Sequence, residues 1–133
     1  MTPIAAAAAR EIEELHAEFV ELFCGRSRDL KRCERAFSKH FEMVTPDGKN
    51  HDCKSVLIAI GKATAPPDFR IEISDIRPLK EDKKSVLIHY VERQYRDGKT
   101  SRRRSTALFE AEVNAPCGVV WRHLHETWMQ EAE

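Results

Sequence analysis

The sequence predicts an α+β domain: three N-terminal helices packed on one face of a mainly antiparallel sheet. Three observations lead there. Apolar residues recur with helical spacing only in the first half of the chain, and the second half alternates with the two-residue period of strands. An Asp97-Gly98 dipeptide marks a tight hairpin between two of those strands. Helices followed by a run of strands, instead of alternating with them, segregate to one face of an antiparallel sheet.

The first helix is predicted from about Pro3 to Cys24, with Thr2 as its cap and Gly25 as its stop. Ile12, Leu15, Phe19, Leu22 and Phe23 form its apolar stripe, and Glu11, Glu13, Glu14, Glu18 and Glu21 make the other side acidic. His16 sits beside the stripe. A second helix is expected from about Asp29 to His40, capped by Ser27 or Asp29, with Leu30, Cys33, Ala36 and Phe37 inward. Phe41 to Val44 reads as a short strand ended by the turn Thr45-Pro46-Asp47-Gly48. A third helix covers about Asp52 to Lys62, and Ala65-Pro66-Pro67-Asp68 breaks it. Phe69, Ile71, Ile73 and Ile76 open the sheet with an irregularity near Asp75. Strands over Ser85–Tyr95, Thr100–Val113 and Val119–Trp128 complete a four-strand meander.

Composition narrows the function classes. At 133 residues the chain is expected to be one domain, residues 1–133. Its 22 basic residues balance 22 acidic ones, which speaks against a dedicated nucleic-acid binder. No apolar run approaches the ~18 residues of a membrane span. The Ala5–Ala9 run lacks a preceding basic flank and joins a charged helix, so it does not read as a signal peptide. The four cysteines, Cys24, Cys33, Cys53 and Cys117, show no C-x-x-C spacing; Cys117 falls in a predicted exposed turn. All five glycines stand apart as caps and turns, so no phosphate loop is present. A cytoplasmic location is expected by elimination, with no cofactor.

Register places the chemistry. A two-residue Asp97-Gly98 turn sets Glu92 against Arg103, Tyr90 against Ser105, Ile88 against Ala107 and Val86 against Phe109. A five-residue turn, Asn114 to Gly118, sets Val113 against Val119, Phe109 against His123, Ala107 against His125 and Ser105 against Thr127. The same register pairs Glu110 with Arg122 on the opposite face, a favourable match, and Arg93 with Arg102, an unfavourable one. The expected inner face then carries Tyr90, Ala107, Phe109, Trp121, His123 and His125. The outer face carries Leu87, His89, Arg104, Leu108, Leu124 and Trp128, with Arg104 placed to stack on Trp128. A leucine row with a tryptophan is poor decoration for plain solvent, and a subunit interface would explain it.

The order helix, helix, strand, helix and long meander resembles the nuclear-transport-factor-2-like, or cystatin-like α+β, superfamily. The ending Gly118-Val119-Val120-Trp121-Arg122-His123-Leu124-His125-Glu126 is similar to the glycine, tryptophan and histidine pattern that closes many members. Nearest are the small ketosteroid-isomerase-like and polyketide-cyclase-like proteins, the uncharacterised bacterial families beside them, and the kinase association domain. The resemblance implies a curved sheet around a conical cavity, roofed by the first helix, and commonly a homodimer through the outer sheet face. It carries over to Trp121 and His125 in the closing strand and to Leu15 and Phe19 in the first helix. The isomerases place a carboxylate base and an acidic or phenolic oxyanion donor in the cone. Asp47 lies in a turn, which leaves Tyr90 and Glu92 as the inner-face residues of those types.

The expected site follows from the residues. His123 and His125, two apart on one strand, project from one face and are the candidate acid–base pair with Tyr90 as hydrogen-bond donor. Trp121 is a wall; Ser105 and Thr127 extend a polar row from Tyr90; Glu92, Arg103 and His16 lie at the edge. A metal would need His16 or Glu92 as third ligand, and His-x-His alone is a weak signal. The expected function is binding of a small, partly apolar molecule, with proton transfer, cyclisation or hydrolysis as the chemistry if the protein is an enzyme. The alternative is a non-enzymatic association module whose cone is filled. The expected partners are that ligand and a second copy, through Leu87, Leu108, Leu124 and Trp128, with neither nucleic acid nor membrane.

Overall fold

The computed structural model describes residues 1–130, and over that span the elements run in the expected α+β order. Helix α1 (Pro3–Phe23) begins where the Thr2 hydroxyl accepts the Ala5 N–H at 3.2 Å, with Pro3 in the first turn. It ends at Gly25, whose φ of 75° is open to glycine without strain. Ala5, Ala8, Ile12 and Leu15 are fully buried against the sheet, the alanines letting the helix lie close to it. Glu11, expected on the acidic solvent side, is also fully buried.

The second helix is much shorter than its periodicity suggests. Helix α2 spans only Lys31–Glu34, and strand β1 (Phe37–Val44) takes over what was expected to be helix. The reason is tertiary. The Ala36 carbonyl accepts the Trp121 N–H at 2.9 Å, so the segment is captured as the parallel neighbour of the last strand. Phe37, Phe41 and Met43 satisfy a two-residue period as well as Leu30, Cys33 and Phe37 satisfy a helical one. A short strand, β2 (Asn50–Asp52), returns antiparallel to β1. Helix α3 (Cys53–Lys62) follows, capped by the Asp52 carboxylate on the Ser55 N–H at 2.8 Å.

The meander consists of β3 (Arg70–Glu81), β4 (Ser85–Arg96), β5 (Lys99–Ala111) and β6 (Val119–Trp128). The six strands form one curved, open sheet in the order β2-β1-β6-β5-β4-β3. The irregularity near Asp75 is present: that residue has φ of 52° and the β3–β4 register shifts between Ser74 and Arg77. At the hairpin Asp97 and Gly98 both have positive φ, and every expected β4–β5 pair forms, including Glu92 with Arg103 and Tyr90 with Ser105.

The β5–β6 pairing differs, and the difference relocates the site. Ala111 faces Val119, so the connection is two residues longer on its β5 side than expected; this alone leaves the faces unchanged. Between Trp121 and His123 the register then slips by one, leaving Arg122 as an extra residue on β6. Arg122 is held there by its Nη1, which donates to the His40 carbonyl at 2.7 Å, and by Glu42 and Glu110 at 3.8 and 3.9 Å. Beyond this bulge every side chain changes face. His123, His125 and Thr127 point away from the helices, opposite Leu108, Thr106 and Arg104. Leu124, Glu126 and Trp128 turn to the inner face, opposite Ala107, Ser105 and Arg103. Leu124 and Trp128 therefore leave the outer surface where the sequence put them. Arg103, not Arg104, stacks on Trp128, its guanidinium 4.7 Å from the ring centre.

Candidate functional site

The concave face of the sheet, α1 and α3 enclose a cavity of about 260 Å3. Its walls are apolar, with Phe19 from α1, Phe41 and Met43 from β1, Ile60 from α3, and Trp121 and Leu124 from β6. Into this lining project polar side chains: a cluster of His16 from α1, Glu92 and Gln94 from β4, Arg103 from β5 and Glu126 from β6, with Thr45 and His51 also among the lining residues. Their neighbourhood follows from register, since β4, β5 and β6 are consecutive in the sheet and Glu92 faces Arg103.

His16 is oriented by its own helix. Its Nδ1–H donates to the Ile12 carbonyl at 2.7 Å, which turns Nε2 toward Glu92 Oε1 at 3.1 Å. Burial opposes charge on the ring, but the Glu92 carboxylate and the Ile12 carbonyl outweigh it and raise the imidazole above its ordinary value. Burial likewise opposes ionisation of Glu92. The His16 charge and hydrogen bond, Arg103, and the Gln94 amide, which donates to Oε2 at 2.6 Å, overcome this and hold the acid at about 2. Each partner thus favours the other's charged form, imidazolium for His16 and carboxylate for Glu92, and each is about 5% exposed.

Glu126 sits in the same cluster and behaves in the opposite way. Burial first, and then the nearby Glu92 charge, push it up to about 7 against the lowering influence of Arg103 and His16. Its partner is slack: Arg103 Nη1 lies 3.5 Å from Oε1, beyond the usual range of an N–H···O bond. Two carboxyls in one pocket, one ionised and one poised near neutrality, form the kind of split that separates charge stabiliser from proton carrier.

The structure sorts the expected site residues. His16, Glu92, Arg103 and Trp121 line the cavity. His123 and His125 do not, because the bulge turns them to the outer face, and Thr127 goes with them. Tyr90 and Ser105 are on the inner face but wholly buried behind the lining; neither hydroxyl has a partner at hydrogen-bond distance among the described residues. Tyr90 packs edge-on against His16 and Trp121, and burial holds its phenol well above its usual value. Glu92 and Arg103, set opposite each other by the hairpin, take His16 and Glu126 as their ion-pair partners. Glu126 and Leu124 escaped the sequence reading for want of any signal of the bulge. Gln94 was not singled out either, although it shares the parity of Glu92 on β4, a signal that could have found it. Cys117 is half-buried, with its thiol pushed up to about 11 mainly by burial. Among the described residues no three potential metal ligands gather, and no helix is long and apolar enough to cross a membrane.

A second buried polar group lies outside the cavity. Glu11 Oε1 accepts from Arg32 Nη2 at 2.7 Å and Oε2 accepts the Trp121 indole N–H at 3.0 Å, tying α1 to α2 and β6.

No family model matches the chain, and no curated protein matches it. Solved structures do. A crystal structure of an NTF-2-like protein of unknown function from Pseudomonas aeruginosa superposes with a TM-score of 0.85 at 28% identity, covering 93% of this chain and 99% of that one. The CaMKII hub of S. rosetta gives 0.69 at 11% identity over 90% of this chain and 95% of its own. An uncharacterised protein with a cystatin-like fold from Caulobacter vibrioides gives 0.64 at 17% identity, covering 92% and 89%. The last two likenesses concern the fold alone. Helices and strands in this order, the cone they enclose and the Pseudomonas likeness along nearly its full length make the chain a member of the nuclear-transport-factor-2-like superfamily.

Proposed function

We propose that this protein binds a small, mostly apolar molecule in the cone, with a polar end of that molecule among His16, Glu92, Gln94, Arg103 and Glu126. The observation that carries this reading is an apolar cavity of about 260 Å3 with a charged cluster in its lining. A core that served stability alone would gain little from burying such a cluster, because desolvating ions costs about as much as their attraction returns. The volume admits on the order of nine water-sized groups at ~30 Å3 each.

If the protein is an enzyme, the chemistry in reach is proton transfer. Glu126 exchanges its proton near pH 7, and Glu92 with His16 is a fixed dipole beside it. His123 and His125 have no part in this reading. The test is a fragment screen by 1H–15N NMR on the indole of Trp121, which forms one wall. Cavity-directed fragments should shift that signal, and Phe41→Trp should compete with them by filling the space. A protein that is folded and silent to every fragment would overturn the reading.

A second reading concerns self-association. It is supported by the CaMKII hub likeness and by Leu87 and Leu108, which face each other on the outer surface of β4 and β5 and stay half-exposed. The proposed contact is a homodimer through that face, with His123 beside Leu108. Such a dimer is compatible with an occupied cone.

A further inference from the structure

The charges around the cavity do not balance one another equally, and the imbalance identifies the ligand class. Glu92 is saturated: Oε1 holds His16 and Oε2 holds Gln94. His16 is saturated too, between Glu92 and the Ile12 carbonyl. Arg103 is not. Among the described residues its carboxylate contact is the slack 3.5 Å approach to Glu126, and its Nε–H is buried with no partner. The guanidinium is nevertheless held in place, with Trp128 against its face. A positioned guanidinium with an uncommitted N–H is a fork for a planar anion, which it grips through parallel charge-assisted bonds.

We infer that the occupant is a small monocarboxylate with an apolar tail, its carboxylate on Arg103 and its tail among Phe19, Phe41, Ile60 and Leu124. This inference rests on the cone-binding reading above and names its ligand class. Among the described residues one uncommitted cation lines the cavity, which suits one negative charge, and the carboxyls of Glu92 and Glu126 would repel a phosphate dianion. Beyond the charged cluster and Gln94, the described lining has Thr45 and His51 as its polar side chains, few partners for a polyhydroxylated molecule. About nine water-sized groups of space match an eight-carbon acid or an aryl-propionate.

Proton linkage follows from the geometry. Glu126 is faced by His16 on α1, Glu92 on β4 and Arg103 on β5, with His51 of β2 also in the cavity lining. A carboxylate arriving at Arg103 draws that cation away from Glu126 and places a negative charge beside it, so Glu126 takes up a proton. Binding should tighten as pH falls from 8 to 6.5, by up to tenfold per unit.

The probes are octanoate, its neutral isostere octanamide, and octylamine, titrated calorimetrically into the full chain at pH 6.5 and 8. Octanoate is expected to bind about tenfold or more tighter than octanamide at pH 6.5, the return on a charge-assisted bond. Arg103→Met should abolish that preference, octanoate falling to the affinity of octanamide, and a cooperative urea transition shows that the variant is folded. Glu126→Gln should keep octanoate binding and lose its pH dependence. Octanamide or octylamine binding as tightly as octanoate would overturn the inference and leave the cone-binding reading standing. Failure of all three, with a silent fragment screen, would overturn both.

Discussion

Glu92 and Glu126 are the same side chain in the same pocket, and their surroundings send them opposite ways. Glu92 has an imidazolium and an amide on its two oxygens and stays ionised down to about 2; Glu126 has only the distant edge of Arg103 and is held at about 7. The stability consequences have opposite signs. The Glu92 contribution is present above the unfolded value of 4.5 and is lost as pH falls toward 2. The Glu126 contribution is present below 4.5 and is lost as pH rises through 7, because ionising the group in place is unfavourable. Replacing Glu126 with Gln removes that liability. Glu126→Gln should therefore match the wild type in urea unfolding at pH 4.5 and exceed it at pH 8.5, by roughly 1–3 kcal/mol. A stability difference that does not change with pH would show that Glu126 titrates as an ordinary exposed acid. Glu92→Gln should behave differently from pH 5 up to the raised His16 value, because there it strands the buried imidazolium without an anion; a cost of roughly 3–5 kcal/mol is expected from the same unfolding measurement.

At the scale of elements, what the sequence showed and what it hid divide along local and distant causes. The hairpin of β4 and β5 was legible because Asp97-Gly98 sets its register within the segment itself, and with it came Tyr90, Glu92 and Arg103 on the inner face. His16 was legible by its place beside the stripe of α1. The bulge on β6 was not, because what holds it is the His40 carbonyl and Glu42, some eighty residues away in the chain. One extra residue there exchanged two histidines for Leu124 and Glu126 in the cavity. The truncated second helix has the same origin, since its backbone is claimed by β6. Glu11 was hidden among five glutamates of one helix, and only the tertiary placement of Arg32 and Trp121 distinguishes it. That placement makes a test. Glu11→Leu removes the acceptor of both Arg32 and the indole and should cost roughly 3–5 kcal/mol in urea unfolding. Glu11→Gln keeps one acceptor oxygen and should cost less than half as much. Equal costs would mean that the carboxylate charge opposite Arg32 decides the cost, since Gln fills the same volume and keeps an acceptor oxygen.

For the whole molecule, the curved sheet separates two surfaces, and the corrected register changes what each can do. With Leu124 and Trp128 on the concave side, the convex side keeps Leu87 and Leu108 as its paired apolar residues, flanked by Thr106, His123 and Arg104. An isolated apolar pair needs no partner, so association has to be argued from the surface as a whole and measured. Leu108→Glu sets a charge beside Leu87 at the centre of the proposed contact, and burying it unpaired would cost several kcal/mol per subunit. If two copies meet there, the wild type should sediment as a dimer at micromolar concentration and Leu108→Glu as a monomer. Leu124→Glu separates this face from the other, because its charge enters the cone and should disturb folding or ligand binding before it touches assembly. A Leu108→Glu protein that sediments like the wild type, dimer or monomer, rules out this face. The monomeric variant then decides how the two surfaces relate: because α1, α3 and the concave face belong to a single chain, it should bind octanamide as the dimer does, and a loss of binding would mean that dimerisation shapes the cone.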